Sequence, residues 1–287
     1  MEPPTRRLGP LRGKTNLDSA RPSFDHLGVP FEYQPTHRFY LPTAVKTGAE
    51  IILSEREAHH AAQVLRVRAG EHVAVLDGAG LECACEVREV GKRAVTLAVV
   101  SRKNHSAPVS RVTLVQALTK SKSFDAILQK ATELGVTRII PIAAERSVAR
   151  VDADDADDKV ERWRATAVEA MKQSGSPWLP QIEAPLTPQA FLARGELQSE
   201  LTFLGSLQAG ARHPRVHFHE FFLQHQRPPA SVAVWIGPEG DFTHAEVGLA
   251  LAAGARAITL GPTVLRADTA AIYSLSVISY ELGAAQG

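Results

Sequence analysis

Two glycine-proline segments are the parts of this sequence with the clearest chemical meaning. Residues 235–240 are Trp-Ile-Gly-Pro-Glu-Gly, and residues 260–266 are Leu-Gly-Pro-Thr-Val-Leu-Arg. Each follows a short apolar run typical of a buried strand, and α/β sheets bind ligands in the loops at the carboxyl ends of their strands. Glycine lets the backbone approach a ligand closely, and proline stiffens the turn. Either segment alone is typical of a plain turn, but the pair predicts one shared pocket.

Patterns typical of other chemistries are missing or weak. Neither segment contains G-x-G-x-x-G or G-x-x-x-x-G-K-[ST], which cradle nucleotide phosphates, and no G-x-S-x-G marks a nucleophilic serine. His217 and His219 would share one face of a strand, but no third metal ligand follows at a clear spacing, so a surface strand is the favoured interpretation. Cys83 and Cys85 lack a second pair to complete a zinc site, which favours core packing. We therefore expect no metal.

Composition bounds the class of protein. The chain has 287 residues and 44% hydrophobic content, enough for two domains with a core each. A net charge of +1 excludes a protein that holds nucleic acid by overall charge, so any nucleic-acid contact must be local. No apolar run approaches the roughly 20 residues of a membrane helix. Only two cysteines occur, which fits a reducing compartment, and we expect a soluble, cytoplasmic protein.

The first third of the chain predicts a tail and a small β domain. Residues 1–34 are rich in Pro, Arg and Gly without periodicity, which predicts a disordered tail. Residues 35–105 predict short strands, hairpin turns and one helix, over 55–64, and hence a small β-barrel. The predicted strands cover residues 39–41, 50–53, 72–76, 81–90 and 94–100. Pro108 marks the predicted domain boundary.

From residue 108 to residue 287 the periodicity changes to alternating strand and helix, which predicts a parallel sheet covered by helices on both faces. Thr243 and Glu246 have the spacing of a capping box that opens a helix directly after the first glycine-proline segment. A final helix is predicted over residues 270–282. The predicted strands cover residues 112–118, 137–142, 201–204, 232–236 and 257–260.

Several segments, taken together and in order, resemble the RsmE family. Besides the two glycine-proline segments, they include Gln-Lys-Ala-Thr-Glu-Leu-Gly-Val at 129–136, Glu-Arg-Ser at 145–147 and Arg-Ala-Asp-Thr-Ala at 266–270. His-Arg-Phe-Tyr at 37–40 and the stretch 60–70 extend the resemblance into the first domain. Members of this family are SPOUT-class methyltransferases that modify N3 of a uridine in small-subunit (16S) ribosomal RNA.

The resemblance implies an α/β fold in which an N-terminal PUA-like RNA-binding β-barrel precedes a SPOUT-type parallel-sheet domain with a trefoil knot. It implies S-adenosylmethionine as cofactor, small-subunit ribosomal RNA or the assembled 30S subunit as partner, and a homodimer whose second subunit completes the site. The positions that match the family's cofactor contacts are Leu204, Ile236, Gly237, Glu239, Gly240, Leu260, Gly261 and Leu265.

Methyl transfer to uracil N3 requires the acceptor in line with the bond that breaks and the loss of the N3 proton. A cation would stabilise the resulting anion, and Arg266 is the first candidate; a salt bridge to Asp268 or a helix-capping contact is the competing interpretation. Glu239 and Asp268 are candidates for the general base. Candidates for RNA phosphate contacts, each otherwise a solvated surface charge, are Arg38, Arg66, Lys120, Lys122, Lys130 and Arg146.

The sequence also departs from the family pattern. Asp241 stands where the family usually has a second glycine, and Asp268 stands where Glu is common. After Gln-Ser-Gly at 173–175 the family often has an arginine, but here Ser-Pro-Trp follows at 176–178. The last change puts in doubt a contact to the substrate or to the partner subunit. The alternatives are a SPOUT methyltransferase for another RNA such as tRNA, a catalytically inactive RNA-binding ribosome-assembly factor, and a nucleotide-dependent α/β enzyme, which the missing phosphate motifs disfavour.

Overall fold

Two β-sheets organise the part of the chain that the computed structural model describes, which is residues 35–42, 48–149, 155–195, 199–207 and 210–284. The predicted tail, residues 1–34, lies outside these ranges. The described residues from Pro35 onward form one compact unit. No helix within them is both long and apolar enough to span a membrane.

The first sheet has five strands in the order β1-β3-β4-β5-β2. Its strands are β1 (His37–Tyr40), β2 (Glu50–Ser54), β3 (His72–Leu76), β4 (Leu81–Val90) and β5 (Ala94–Asn104). β1 pairs with β3 in parallel and the other pairs are antiparallel. Irregularities in β4 near Ala84 and Val87 bend the sheet around its own apolar core.

The helix predicted over residues 55–64 is divided into two parts. α1 (Glu55–His59) continues into a π-helix, His60–Leu65, which ends at Arg66 with a left-handed backbone, φ 54°. Cys83 and Cys85 are fully buried in the core of this sheet, as the sequence predicted. Burial raises the pKa of both thiols, that of Cys85 to about 12, so neither is a reactive thiolate at neutral pH.

The second sheet has six strands in the order β11-β9-β10-β6-β7-β8, and every pair is parallel. Its strands are β6 (Arg111–Ala117), β7 (Arg138–Ile142), β8 (Gln181–Ile182), β9 (Leu201–Gly205), β10 (Ser231–Ile236) and β11 (Arg256–Ile258). All six residues of β10 are buried, because this strand lies between two others and is covered on both faces.

Within the described ranges, six helices cover the parallel sheet. They are α2 (Ser121–Glu133), α3 (Ala156–Ser174), α4 (Pro188–Ala193), α5 (Pro214–His225), α6 (His244–Ala252) and α7 (Ala267–Ala284). One apolar core contains Phe124 and Trp163, whose ring centroids lie 4.7 Å apart. A separate core contains Phe191 and Trp235, with centroids 5.4 Å apart. Two cores confirm the prediction that helices pack on both faces.

The strand predicted around His217 and His219 is wrong, because both residues lie on α5. Pro214 occupies the first helical turn, where its missing N–H costs nothing, and the His213 side chain caps the helix. Residues two apart on a helix do not face the same way, so the two imidazoles cannot form one metal site. No group of three potential metal-binding side chains occurs in the described ranges.

A seam joins the first sheet to the second domain through backbone contacts. The turn 77–80 of the β domain receives a hydrogen bond from Leu179 N to Gly78 O (2.9 Å) and gives one from Gly80 N to Pro177 O (3.0 Å). Behind it, the buried Lys172 ammonium donates to Glu57 at 2.9 Å. The Ser-Pro-Trp departure at 176–178 therefore lies in this seam. The exact division of the chain near Pro108 stays a prediction.

The packing of the seam makes Gly80 a sensitive position. A Cβ atom there would lie 2.5 Å from the Trp178 ring, and φ is +98°. Gly70 has a similar φ, +87°, but no atom within 4 Å of its Cβ position. We expect Gly80→Ala to lower the free energy of unfolding by about 3 kcal/mol and Gly70→Ala by about 1 kcal/mol, measured by urea denaturation. Equal losses would show that Trp178 moves aside freely.

Buried His217 predicts a pH dependence of stability. Its pKa is lowered from 6.5, first by burial and then by Arg256 and Arg212. The unfolded chain therefore binds this proton more readily, and the free energy of unfolding falls as the pH drops below the unfolded value. His217→Leu should therefore reduce the loss of unfolding free energy between pH 8 and pH 5.5.

The matched control is His219→Leu on the exposed side of α5, and the measurement is urea unfolding at both pH values. If both variants change the pH dependence equally, burial of His217 is not its source.

Candidate functional site

A cavity of about 620 Å³ opens where three strands of the parallel sheet end. β9 lies between β11 and β10, so the loops that follow these three strands meet at one edge of the sheet. A volume of this size suits a small-molecule ligand. The lining residues belong to the first loop (237–243), the second loop (259–266), the third loop (described at 205–207 and 210–211) and the adjoining ends of β10 and α7.

The first loop is tightly folded. A Cβ atom at Gly237 would lie 3.0 Å from the Asp241 carboxylate and 3.3 Å from Phe242 N, so a larger residue would displace the turn. Asp241 has a left-handed backbone, φ 58°, and its carboxylate accepts a hydrogen bond from Phe242 N at 2.8 Å. Aspartate tolerates this conformation better than most residues, which explains how it replaces the family's usual glycine.

The capping box predicted after this loop is present. Thr243 accepts a hydrogen bond from Glu246 N at 3.3 Å, and the Glu246 carboxylate accepts one from Thr243 N at 2.8 Å. These two bonds satisfy backbone donors at the start of α6. The first loop is thus fixed between a fully buried strand and a capped helix.

The second loop depends on backbone conformation rather than on close packing. Gly261 has φ +120°, a region that side-chain-bearing residues rarely adopt, although nothing lies within 4 Å of its Cβ position. The Thr259 hydroxyl accepts a hydrogen bond from Gly261 N at 3.3 Å and thereby holds the turn. Arg266 ends the loop at the cavity, and its carbonyl accepts from Ala270 N at 2.8 Å as α7 begins.

The third loop was missed from the sequence. Its described residues Gly205, Ser206, Leu207, Gly210 and Ala211 line the cavity. It contains no glycine-proline pair, but it follows a predicted strand of the parallel sheet and contains two glycines, which is the signal that could have found it.

The structure brings together most of the predicted site. Seven predicted residues line the cavity: Ile236, Gly237, Glu239, Leu260, Gly261, Leu265 and Arg266. Leu204 does not line it, because its side chain is fully buried in the apolar core that contains Trp235. Asp268 is also absent from the lining, and its carboxylate accepts from Thr269 N at 2.7 Å instead. Gly240 is likewise absent from the lining and lies against Arg146.

The predicted phosphate contacts separate into two groups. Lys130 pairs with Glu133 at 2.8 Å, Arg38 packs against Gly175 in the seam, and Arg146 donates to Gly240 O at 3.1 Å. These three cations already have intramolecular contacts. The remaining three are exposed and have no ion pair within the described ranges, and they are Arg66, Lys120 and Lys122.

Comparison with known proteins agrees with this geometry. A family model described as an RNA methyltransferase domain matches residues 105–279, and one described as an RNA methyltransferase PUA domain matches residues 53–100. Fold and site therefore define an RNA methyltransferase with a PUA domain, which confirms the predicted α/β fold with a parallel sheet and a PUA-like first domain.

Two relatives named ribosomal RNA small subunit methyltransferase E identify the family. The one from Mycobacterium bovis is 32% identical, over 84% of this chain and 90% of its own length. The one from Bacillus subtilis is 30% identical, over 80% of this chain and 89% of its own length. The chain belongs to the ribosomal RNA small subunit methyltransferase E family, the RsmE family that its motifs resemble.

Solved structures have the same fold. A putative methyltransferase from Legionella pneumophila, in complex with S-adenosylmethionine, is 29% identical with a TM-score of 0.77 and covers 86% of this chain and 98% of its own. A ribosomal RNA small subunit methyltransferase E from Neisseria gonorrhoeae, bound to S-adenosylmethionine, is 27% identical with a TM-score of 0.73, over 85% of this chain and 97% of its own.

The left-handed backbone at Asp241 predicts how this position tolerates substitution. Asp241→Gly relieves the backbone and should retain the protein's affinity for S-adenosylmethionine, measured by calorimetry. Asp241→Val places a β-branched residue at φ 58° and should cost about 2 kcal/mol, either as lost stability or as weakened binding. A Gly variant as impaired as the Val variant would instead assign the effect to the lost carboxylate.

Proposed function

We propose that this protein transfers the methyl group of S-adenosylmethionine to N3 of a uridine in small-subunit (16S) ribosomal RNA. The observation that carries the proposal is the three-loop cavity with Arg266 at its edge, in a chain of this family. A ribosomal RNA substrate also agrees with the expectation of a cytoplasmic protein.

The cavity fits the proposed cofactor in size and chemistry. Its walls combine apolar side chains, among them Ile236, Leu260 and Leu265, with exposed backbone of the glycine-rich loops. Such walls suit an adenosine group held by backbone donors and acceptors. The carboxylate side chain of Glu239 also lines the cavity and suits a ligand that carries positive charge. When bound, the cofactor supplies an electrophilic methyl group on a sulfonium.

Arg266 suits the proposed acceptor. It is exposed, lines the cavity and forms no ion pair with Asp268 in the described structure, which removes one competing interpretation of this residue. Its guanidinium would stabilise the negative charge that develops on uracil as N3 loses its proton. Glu239 is the better placed of the two predicted bases, because it lines the cavity and Asp268 does not.

RNA binding and dimerisation complete the proposal. The exposed cations Arg66, Lys120 and Lys122 are proposed to contact RNA phosphates, with the β-barrel as part of the RNA surface. Tyr273 and Tyr280, 40% and 70% exposed, lie on one face of α7, the helix that follows the second loop. Exposed aromatic side chains on one helix face suit a protein interface, and a homodimer through α7 is proposed. The trefoil knot likewise stays a proposal.

The decisive experiment incubates the protein with labelled S-adenosylmethionine and unmodified small ribosomal subunits, followed by nucleoside mass spectrometry. We expect N3-methyluridine from the wild type and a roughly hundredfold slower reaction from Arg266→Ala, because an electrostatic contact to the developing charge is lost. Arg266→Lys should retain part of the rate, and Arg194→Ala, which removes an exposed arginine paired with Glu183, serves as the control.

Two outcomes would contradict the proposal. Methylation of transfer RNA in place of ribosomal RNA would reassign the substrate. Cofactor binding without methylation of any RNA would favour an inactive ribosome-assembly factor.

A further inference from the structure

Glu246 makes a contact that its helix-capping role does not require. Its carboxylate is buried, 5% exposed, and its Oε2 atom serves the capping box at Thr243. The other oxygen, Oε1, accepts a hydrogen bond from Glu145 N at 2.9 Å, although the two residues are far apart in the chain. Glu145 belongs to the segment after β7, and none of its described residues, 143–149, lines the cavity.

The loop after β7 touches the first loop at a second point. Arg146 Nη1 donates to Gly240 O at 3.1 Å. A Cβ atom at Gly240 would lie 3.3 Å from Arg146 Cβ, so only a glycine lets the two backbones come this close without adjustment. Ser147 N donates to Ala144 O at 3.0 Å, which makes residues 144–147 a hydrogen-bonded β-turn.

These contacts fix the first loop through residues that do not line the cavity. The Glu246 carboxylate binds both the backbone where the first loop ends and the backbone of the turn 144–147, and Arg146 binds the loop's middle. Hydrogen bonds to a buried carboxylate are stronger than those between neutral groups. The cavity-lining backbone at Gly237 and Glu239 thereby has a fixed support.

We propose that Glu246 and the turn 144–147 are positioning elements for cofactor binding, and that Arg146 acts on the first loop rather than on RNA phosphates. They hold the first loop in its ligand-binding conformation before any ligand arrives, so they lower the cost of ordering that loop on binding. This inference rests on the proposed function only in placing S-adenosylmethionine in the cavity.

The turn offers a substitution that breaks its link to Glu246. Glu145 is the second residue of the β-turn, a position that favours proline, and Ala144 before it lies outside any helix. Glu145→Pro therefore suits the turn but removes the N–H that donates to Glu246 and puts a ring carbon in its place, so it breaks the link between the turn and the Glu246 carboxylate. Glu145→Ala is the matched control, because it removes the same side chain and keeps the N–H.

We expect Glu145→Pro to weaken the binding of S-adenosylmethionine about tenfold, and Glu145→Ala to change it less than about twofold, in calorimetry without RNA. Arg146→Ala should weaken cofactor binding about threefold and leave the salt dependence of RNA binding unchanged, whereas loss of a phosphate contact would reduce that slope. Melting temperatures of all three variants, taken without ligand, identify any general unfolding.

Equal cofactor affinities of the Pro and Ala variants would overturn the positioning role. An Arg146→Ala variant with wild-type cofactor affinity and a reduced salt slope would return Arg146 to the RNA surface. Because the readout is cofactor binding in the absence of RNA, an error in the proposed RNA substrate would leave this result unaffected. Failure of the wild type to bind S-adenosylmethionine would instead contradict the proposed function.

Discussion

Parallel pairing of β10 between β9 and β6 is the constraint on which the site depends. Every residue of β10 is buried, so this strand has one register and one depth in the sheet. Parallel strands end at the same edge of a sheet. The sheet itself therefore brings together the three loops that follow β9, β10 and β11. The apolar cores on the two faces stabilise the sheet, and the sheet determines where the glycines lie.

Periodicity in the sequence was enough to predict most of the elements that carry the site. Local sequence patterns predict these elements: apolar runs give β6, β9 and β10, and the capping box at Thr243 gives the start of a helix. The two glycine-proline segments lie where strand ends were expected. The prediction was wrong at α5, where alternation of His217 and His219 suggested a strand. There the proline in the first turn and the packing of the buried Phe218 and Phe221 stabilise a helix instead.

Other features lay beyond sequence patterns because they depend on tertiary structure. The third loop has no distinctive motif, and its role follows only from the position of β9 in the strand order. Leu204 matched the family by position, yet the side chain belongs to the core. The bond between Glu145 and Glu246 joins two distant segments, and no local pattern predicts it. The positive φ at Asp241 explains why an aspartate can replace the family's usual glycine there, a reason that the sequence alone did not provide.

At Gly261 the backbone conformation, and not the space for a side chain, determines which residue fits. Space around its Cβ position is open, so a side chain would meet no neighbour, and only the backbone angle, φ +120°, excludes ordinary residues. The backbone angle alone therefore reserves this position for glycine, the one achiral residue that the genetic code offers. Any L-residue introduced there would have to change the backbone of the second loop, although the space for its side chain is open.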